Sequence, residues 1–216
     1  MVDLFAILSV VSANGRYHGL IVDYGGVLTT NLFESFRSFC ELEGIQADEV
    51  RRLFREDRAC RDLLIGLETG KLPEEEFEPR FAEILGVSAP SLIDRLFAGS
   101  GPDEPMLSAV ARAKQAGIRT GLVSNSWGTR RYDREQLSQL FDTVVISGEV
   151  GIRKPSPEIY EMAVSQLGIP AQSCVFVDDL PFNLEPAAKL GMATVHHVDS
   201  DSTVPELERL LGVPLR

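Results

Sequence analysis

From Pro105 onward, helical faces and short apolar strands alternate, and that alternation leaves few folds open. Met106, Leu107, Val110 and Ala113 share a helical face ended by Gly117, and a strand follows over 118–123. Leu137, Leu140 and Phe141 form the next helical face, before a strand over 143–146. Ile159, Tyr160, Ala163, Val164 and Leu167 are helical up to Gly168, and a strand runs over 174–177. A helix over 184–190, a strand over 193–198 and a last helix carrying Leu207, Leu210 and Leu211 complete the series. Strands regularly spaced by helices predict an α/β fold with a parallel sheet covered on both faces.

One more strand stands apart, far upstream. Leu20, Ile21 and Val22 are apolar on consecutive positions, as in a strand buried on both faces, and Asp23 ends the run. Between it and Pro105 the pattern is helical only. Leu32, Phe33, Phe36, Phe39 and Cys40 share one face, and Val50, Leu53 and Phe54 mark a second helix. Leu63, Leu64 and Leu67 mark a third. Phe77, Phe81, Ile84 and Leu85 follow Pro73 in a fourth, and Leu92, Ile93, Leu96 and Phe97 form a fifth. The stretch Gly99-Ser100-Gly101-Pro102 reads as a linker. The predicted architecture is a three-layer Rossmann-like core over 1–30 and 101–216, with a helical insertion over 31–100. Its 216 residues suffice for one α/β domain with an insertion.

Charge narrows the function. A net charge of −11 argues against nucleic acid, whose backbone needs clustered Lys and Arg, but leaves room for a small phosphorylated substrate in a locally positive pocket. Cys40, Cys60 and Cys174 are too scattered for a disulfide framework or a zinc site and read as buried thiols in a reducing, cytoplasmic setting. The apolar start, 1–11, carries Asp3 and no basic residue before Arg16, so it lacks the charged region of a signal peptide. It is too short to span a bilayer and reads as an extension lying on the core, so no membrane is expected.

Chemistry gathers at the strand ends, where open α/β sheets bind ligands. Asp23 is followed by Gly25 and Gly26, which permit a sharp turn close to whatever Asp23 faces. The strand over 118–123 runs into Ser124 and Asn125, whose hydroxyl and following backbone N–H groups suit a phosphate oxygen. Lys154 precedes a helix opened by Pro157 and can neutralise a phosphoryl group. Asp178 and Asp179 end another strand, an expensive pairing of like charges unless a cation binds. Singly, each has an ordinary reading as a cap, a surface lysine or a solvated turn. Together they put a carboxylate, a hydroxyl, an ammonium and a carboxylate pair at one sheet edge.

In these four motifs, and in the helical block after the first strand, the sequence resembles the haloacid dehalogenase-like hydrolase superfamily. The resemblance implies a phosphatase acting through an aspartyl-phosphate on Asp23, with Mg2+ as cofactor. Asp23 and Lys154 would be catalytic; Ser124, Asn125 and Lys154 would bind substrate. The metal would be held by Asp23, the backbone carbonyl of Gly25 and Asp178, with Asp179 acting through water or by orienting Lys154. The helical block would be the family's α-helical cap.

One position departs from the usual pattern. Where the family carries a second Asp that protonates the leaving oxygen, this chain has Gly25. A branch that includes sugar-phosphate phosphatases has Gly there with a similar Arg-Lys-Pro motif, so a sugar phosphate is the favoured substrate. A catalytically impaired binding protein and a metal-independent 2-haloacid dehalogenase are the alternatives.

Three further features have two readings each. Arg51, Arg52, Arg55, Arg58 and Arg61 form either a wall that attracts anions or a solvated face paired with Asp48, Glu56 and Asp57, and the abundance of local acids favours the second. Trp127 either stacks on a substrate ring or packs under the helical block. His196 and His197, on one strand, face opposite ways, and packing suits both better than catalysis.

Overall fold

A computed structural model describes residues 17–216; the N-terminal stretch 1–11, read above as an extension on the core, lies outside the described residues. The chain runs β1 (Gly19–Val22), α1 (Leu32–Leu42), α2 (Glu49–Glu56), α3 (Arg58–Glu68), α4 (Glu74–Leu85), α5 (Leu92–Leu96) and α6 (Glu104–Gln115). It continues with β2 (Arg119–Ser124), α7 (Arg134–Leu140), β3 (Thr143–Ile146), α8 (Ser147–Val150), α9 (Pro157–Leu167), β4 (Cys174–Asp178), α10 (Pro181–Lys189), β5 (Ala193–His196) and α11 (Ser200–Leu211).

The five strands form one parallel sheet in the order β3-β2-β1-β4-β5. The isolated first strand is thus its centre. Val22 stands between Leu122 of β2 and Val177 of β4, so three strand ends meet side by side. The two-residue period of a strand sends Leu20 and Val22 to one face, with Met106, Val110, Leu207 and Leu211 of α6 and α11. Ile21 points to the other face, where Ile159, Tyr160 and Ala163 of α9 and Ala187 of α10 cover it.

Helices α1 to α5 bury a core of their own. Phe36, Phe39, Cys40, Val50, Leu53, Phe77, Phe81 and Leu92 interlock there. The side chain of Asn31 caps α1 by accepting from the Phe33 N–H at 2.9 Å, and Asp57 caps α3 through the Cys60 N–H at 2.8 Å. The block's two connections run against each other: Thr30 N–H donates to the Gly101 carbonyl at 2.8 Å, and Gly101 N–H to Thr30 Oγ1 at 3.0 Å. The stretch read as a linker is therefore tied across to Thr30.

Some boundaries differ from the sequence reading. Helix α10 begins at Pro181, before its apolar face, because a proline preset at helical φ opens it. The single turn α8 has no apolar period to betray it. Strand β5 stops at His196, and Val198 is 69% exposed. Ile84, read onto the apolar face of α4, is 40% exposed. All three cysteines are buried and free, and among the described residues no helix is long and apolar enough to cross a membrane.

Candidate active site

The meeting of β2, β1 and β4 determines the site. Asp23 follows β1, Asp178 ends β4 and Ser124 ends β2, all buried at the C-terminal edge of the sheet. Lys154 enters from the loop after α8, and no part of it reaches solvent. Its ammonium donates to Asp178 Oδ2 at 2.7 Å and pairs with Asp23 Oδ1 at 2.8 Å. The expectation that Asp179 orients Lys154 is thus met by Asp178 instead.

The turn after β1 is built by one of its two glycines. Gly26 has φ +76°, and a Cβ there would lie 2.6 Å from Asp179 Oδ2. Both the left-handed backbone and the close approach demand glycine. Gly25 has no positive φ; a Cβ there would meet only the tip of the Leu32 side chain, at 2.7 Å. Tyr24 N–H donates to Asp23 Oδ1 at 2.7 Å, so the oxygen that faces the Lys154 ammonium is also held by the backbone.

Asp178 is held by α10. Its Oδ1 accepts from Leu180 N–H at 2.9 Å and from Asn183 Nδ2 at 3.0 Å. Asn183 was visible in the sequence only as part of the segment after the aspartate pair, and its use follows from α10 starting at Pro181. Asn125, expected to touch substrate, is engaged at both ends with Lys154: Lys154 N–H donates to its Oδ1 at 2.8 Å, and its Nδ2 donates to the Lys154 carbonyl at 3.0 Å. Asn125 therefore positions the lysine loop. Ser124 Oγ lies 2.8 Å from the hydroxyl of Tyr132, a residue that sequence reasoning missed because it sits in a loop without periodicity.

Charge is unbalanced here. Burial pushes the Asp23 carboxyl up to about 8; Lys154 opposes this, while Asp178 and Asp179 add to it. Burial, then Asp178, pushes Asp179 up to about 6. Burial alone would lower the Lys154 pKa, but the carboxylates of Asp178 and Asp23 outweigh it and hold the ammonium above its usual value. Three carboxylates face one ammonium, and Asp23, Asp178 and Asp179 offer oxygens all within 4.8 Å of one another. Hard oxygen donors with surplus negative charge fit a small divalent cation such as Mg2+.

The helical block closes over this edge. Trp127, three residues past Ser124, packs among Phe36, Phe54, Phe77 and Phe97 at centroid distances of 5.5, 5.5, 5.9 and 5.4 Å. It belongs to the packing of the block. Glu74 of α4 pairs with Arg130 at 2.8 Å and Arg131 at 3.2 Å, and Glu68 of α3 meets Arg153 at 2.5 Å. The arginines of α2 and α3 pair locally, with the expected Glu56 and with two acids not anticipated: Arg52 with Glu49 and Glu56, Arg55 with Glu56, and Arg58 with Asp62. Asp57 is used as a cap and Asp48 faces Arg37. His196, the last residue of β5, is exposed, and His197, one residue past the strand's end, is buried against Thr203.

A cleft of about 570 Å³ opens beside Asp179, with Gly26, Thr29, Asp103, His196 and Asp199 in its walls.

Comparison with known proteins agrees with this geometry. The haloacid dehalogenase-like hydrolase family matches residues 17–191. Bifunctional epoxide hydrolase 2 of Rattus norvegicus is 34% identical over 132 residues, covering 58% of this chain and 24% of its own length. A glyceraldehyde 3-phosphate phosphatase of Methanopyrus kandleri is 29% identical over 181 residues, covering 69% of this chain and 75% of its own. The chain spans only about a quarter of the first of these. A wild-type HAD family enzyme of Bacteroides thetaiotaomicron, solved with magnesium and inorganic phosphate, shares the fold with a TM-score of 0.62 at 21% identity, over 83% of this chain and 93% of that one.

Proposed function

The chain belongs to the haloacid dehalogenase-like hydrolases, and from that premise we propose that it is a Mg2+-dependent phosphatase of a small phosphorylated metabolite, with a sugar phosphate favoured. The observation that carries this reading is the buried Lys154 ammonium between Asp23 and Asp178 at 2.8 and 2.7 Å. A carboxylate can attack a phosphoryl group only if the repulsion between the two anions is offset.

In this reading Asp23 forms a bond to phosphorus as the bond to the leaving oxygen breaks. Water then attacks the phosphorus of the aspartyl-phosphate, releasing phosphate and restoring Asp23. Lys154 neutralises charge on the transferring group, and Ser124 donates to one of its oxygens. Asn125 and Asp178 hold Lys154 in place. Asp23, Asp178 and the Gly25 carbonyl would hold Mg2+, with Asp179 beside them; when bound, the ion screens the nucleophile from the phosphoryl oxygens. The block over 31–100 acts as the cap on a core of 1–30 and 101–216, and it excludes water when closed. Asp103 and Asp199 in the adjoining cleft disfavour a leaving group with a second negative charge and suit a neutral polyol.

The experiment is a hydrolysis screen over phosphorylated metabolites, with Mg2+ and with chelator. Phosphate release that needs Mg2+ is expected. Metal-independent halide release from a 2-haloacid, or no turnover of any phosphate ester, overturns the reading.

Metal removal has a second signature. The ordinary pKa of an Asp is 3.8, and Asp23 in the metal-free fold is raised to about 8. Its contribution to stability is then full below pH 3.8 and is lost as pH rises through about 8. In chelator the melting temperature should therefore fall between pH 5 and 8, and Mg2+ should remove most of that fall by binding the ionised site. Parallel melting curves with and without Mg2+ would contradict the assignment of the metal ligands.

A further inference from the structure

Ser124 has one hydroxyl proton, and two groups compete to receive it. One is the Tyr132 oxygen at 2.8 Å; the other, in the phosphatase reading above on which this inference rests, is a substrate oxygen. Tyr132 is well fixed. It is 8% exposed, its ring lies 5.0 Å from Tyr24 at 56°, and the Arg134 guanidinium lies 5.6 Å over it.

Either hydroxyl can be the donor. If Ser124 donates to Tyr132, the serine has no proton left for the phosphoryl group, and the phenolic proton has no acceptor among the hydrogen bonds of the described residues. If Tyr132 donates to Ser124, the serine proton stays free for an anionic oxygen. That second arrangement satisfies both donors once an anion binds, and its outer bond is charge-assisted. Each bond in such a chain polarises the next.

We propose that Tyr132 is a positioning residue of the phosphoryl site: its hydroxyl donates to Ser124 and so commits the Ser124 proton to the transferring phosphoryl group. Burial raises the pKa of the phenol, which keeps it a donor across the working pH range.

A double-mutant cycle tests this on the Mg2+-loaded full chain, with orthovanadate and inorganic phosphate as probes. Y132F keeps the ring and removes the hydroxyl. It should weaken vanadate binding roughly tenfold, and weaken phosphate less, because the bond strengthens as charge develops. In the S124A background Y132F should change nothing further. An equal loss in both backgrounds, or no loss in the wild-type background, overturns the proposal. Should Y132F fail to fold, 3-fluorotyrosine at position 132 keeps the shape and is a stronger donor, so vanadate should bind more tightly; weaker or unchanged binding overturns the proposal. A wild type that neither turns over phosphate esters nor binds vanadate sinks the phosphatase reading and this inference with it. Turnover combined with an additive cycle sinks only the role of Tyr132.

Discussion

Asp23→Asn should reduce phosphate release by at least about 10⁴-fold, the scale seen when a nucleophile is removed. The amide is nearly isosteric with the carboxylate but cannot attack phosphorus. The fold should survive. Lys154 keeps its 2.7 Å bond to Asp178, and a neutral side chain at position 23 removes a carboxyl that burial already pushes up to about 8. At pH 8 in chelator the variant should therefore melt no lower than the wild type. The measurement is phosphate release with melting in parallel, together with trapping of a phosphorylated chain that the wild type forms and the variant does not. Activity within a hundredfold of wild type would remove Asp23 from the reaction.

The second large effect concerns the residue two positions on. Without a carboxyl at Gly25, the leaving oxygen departs largely unprotonated or takes its proton from water. Wild-type rates should then rise steeply with leaving-group acidity, so that aryl, acyl and anomeric sugar phosphates far outrun glycerol phosphate. Gly25→Asp supplies the missing group. General acid help is typically worth ~10²–10⁴-fold, and it should go to alkyl phosphates while aryl phosphates gain little. The backbone allows the substitution, since Gly25 lacks a positive φ. The obstacle is the Leu32 tip, 2.7 Å from the new Cβ, so Leu32→Ala should accompany Gly25→Asp if the single variant is unstable. A flat dependence of wild-type rate on leaving-group acidity would mean that another residue supplies the proton.

The sequence made three parts of the site visible because each lies at the end of a strand with a strong pattern. Asp23, Ser124 and Asp178 follow apolar runs, and a parallel sheet brings such ends to one edge. What it did not reveal depends on contacts between distant loops. Asn125 was read as a ligand of substrate, but its amide faces the Lys154 backbone, a pairing across 29 positions that no local pattern encodes. Tyr132 reaches Ser124 only because the loop after β2 folds back on itself. The arginine partners changed in part for a different reason: on α2 and α3 the (i, i+3) and (i, i+4) neighbours Glu49 and Asp62 join the expected Glu56, while Asp57 caps α3 and Asp48 faces Arg37. The two glycines looked equivalent in sequence, and only their backbone angles and neighbours separate them.

The central place of β1 has a consequence for synthesis. Gly19 pairs with Arg119 on one side and with Cys174 on the other, so β1, made before either neighbour, is among the last strands of the sheet to gain both. The core of the helical block, in contrast, is drawn from residues between Phe36 and Leu96 and can condense while β2 and β4 are still unmade. Nascent chains stalled once residue 100 has left the exit tunnel should accordingly resist protease across the block while β1 remains cleavable. Protection of β1 should appear only once β4 has left the exit tunnel. Simultaneous protection of both regions would mean that the block needs the sheet to fold.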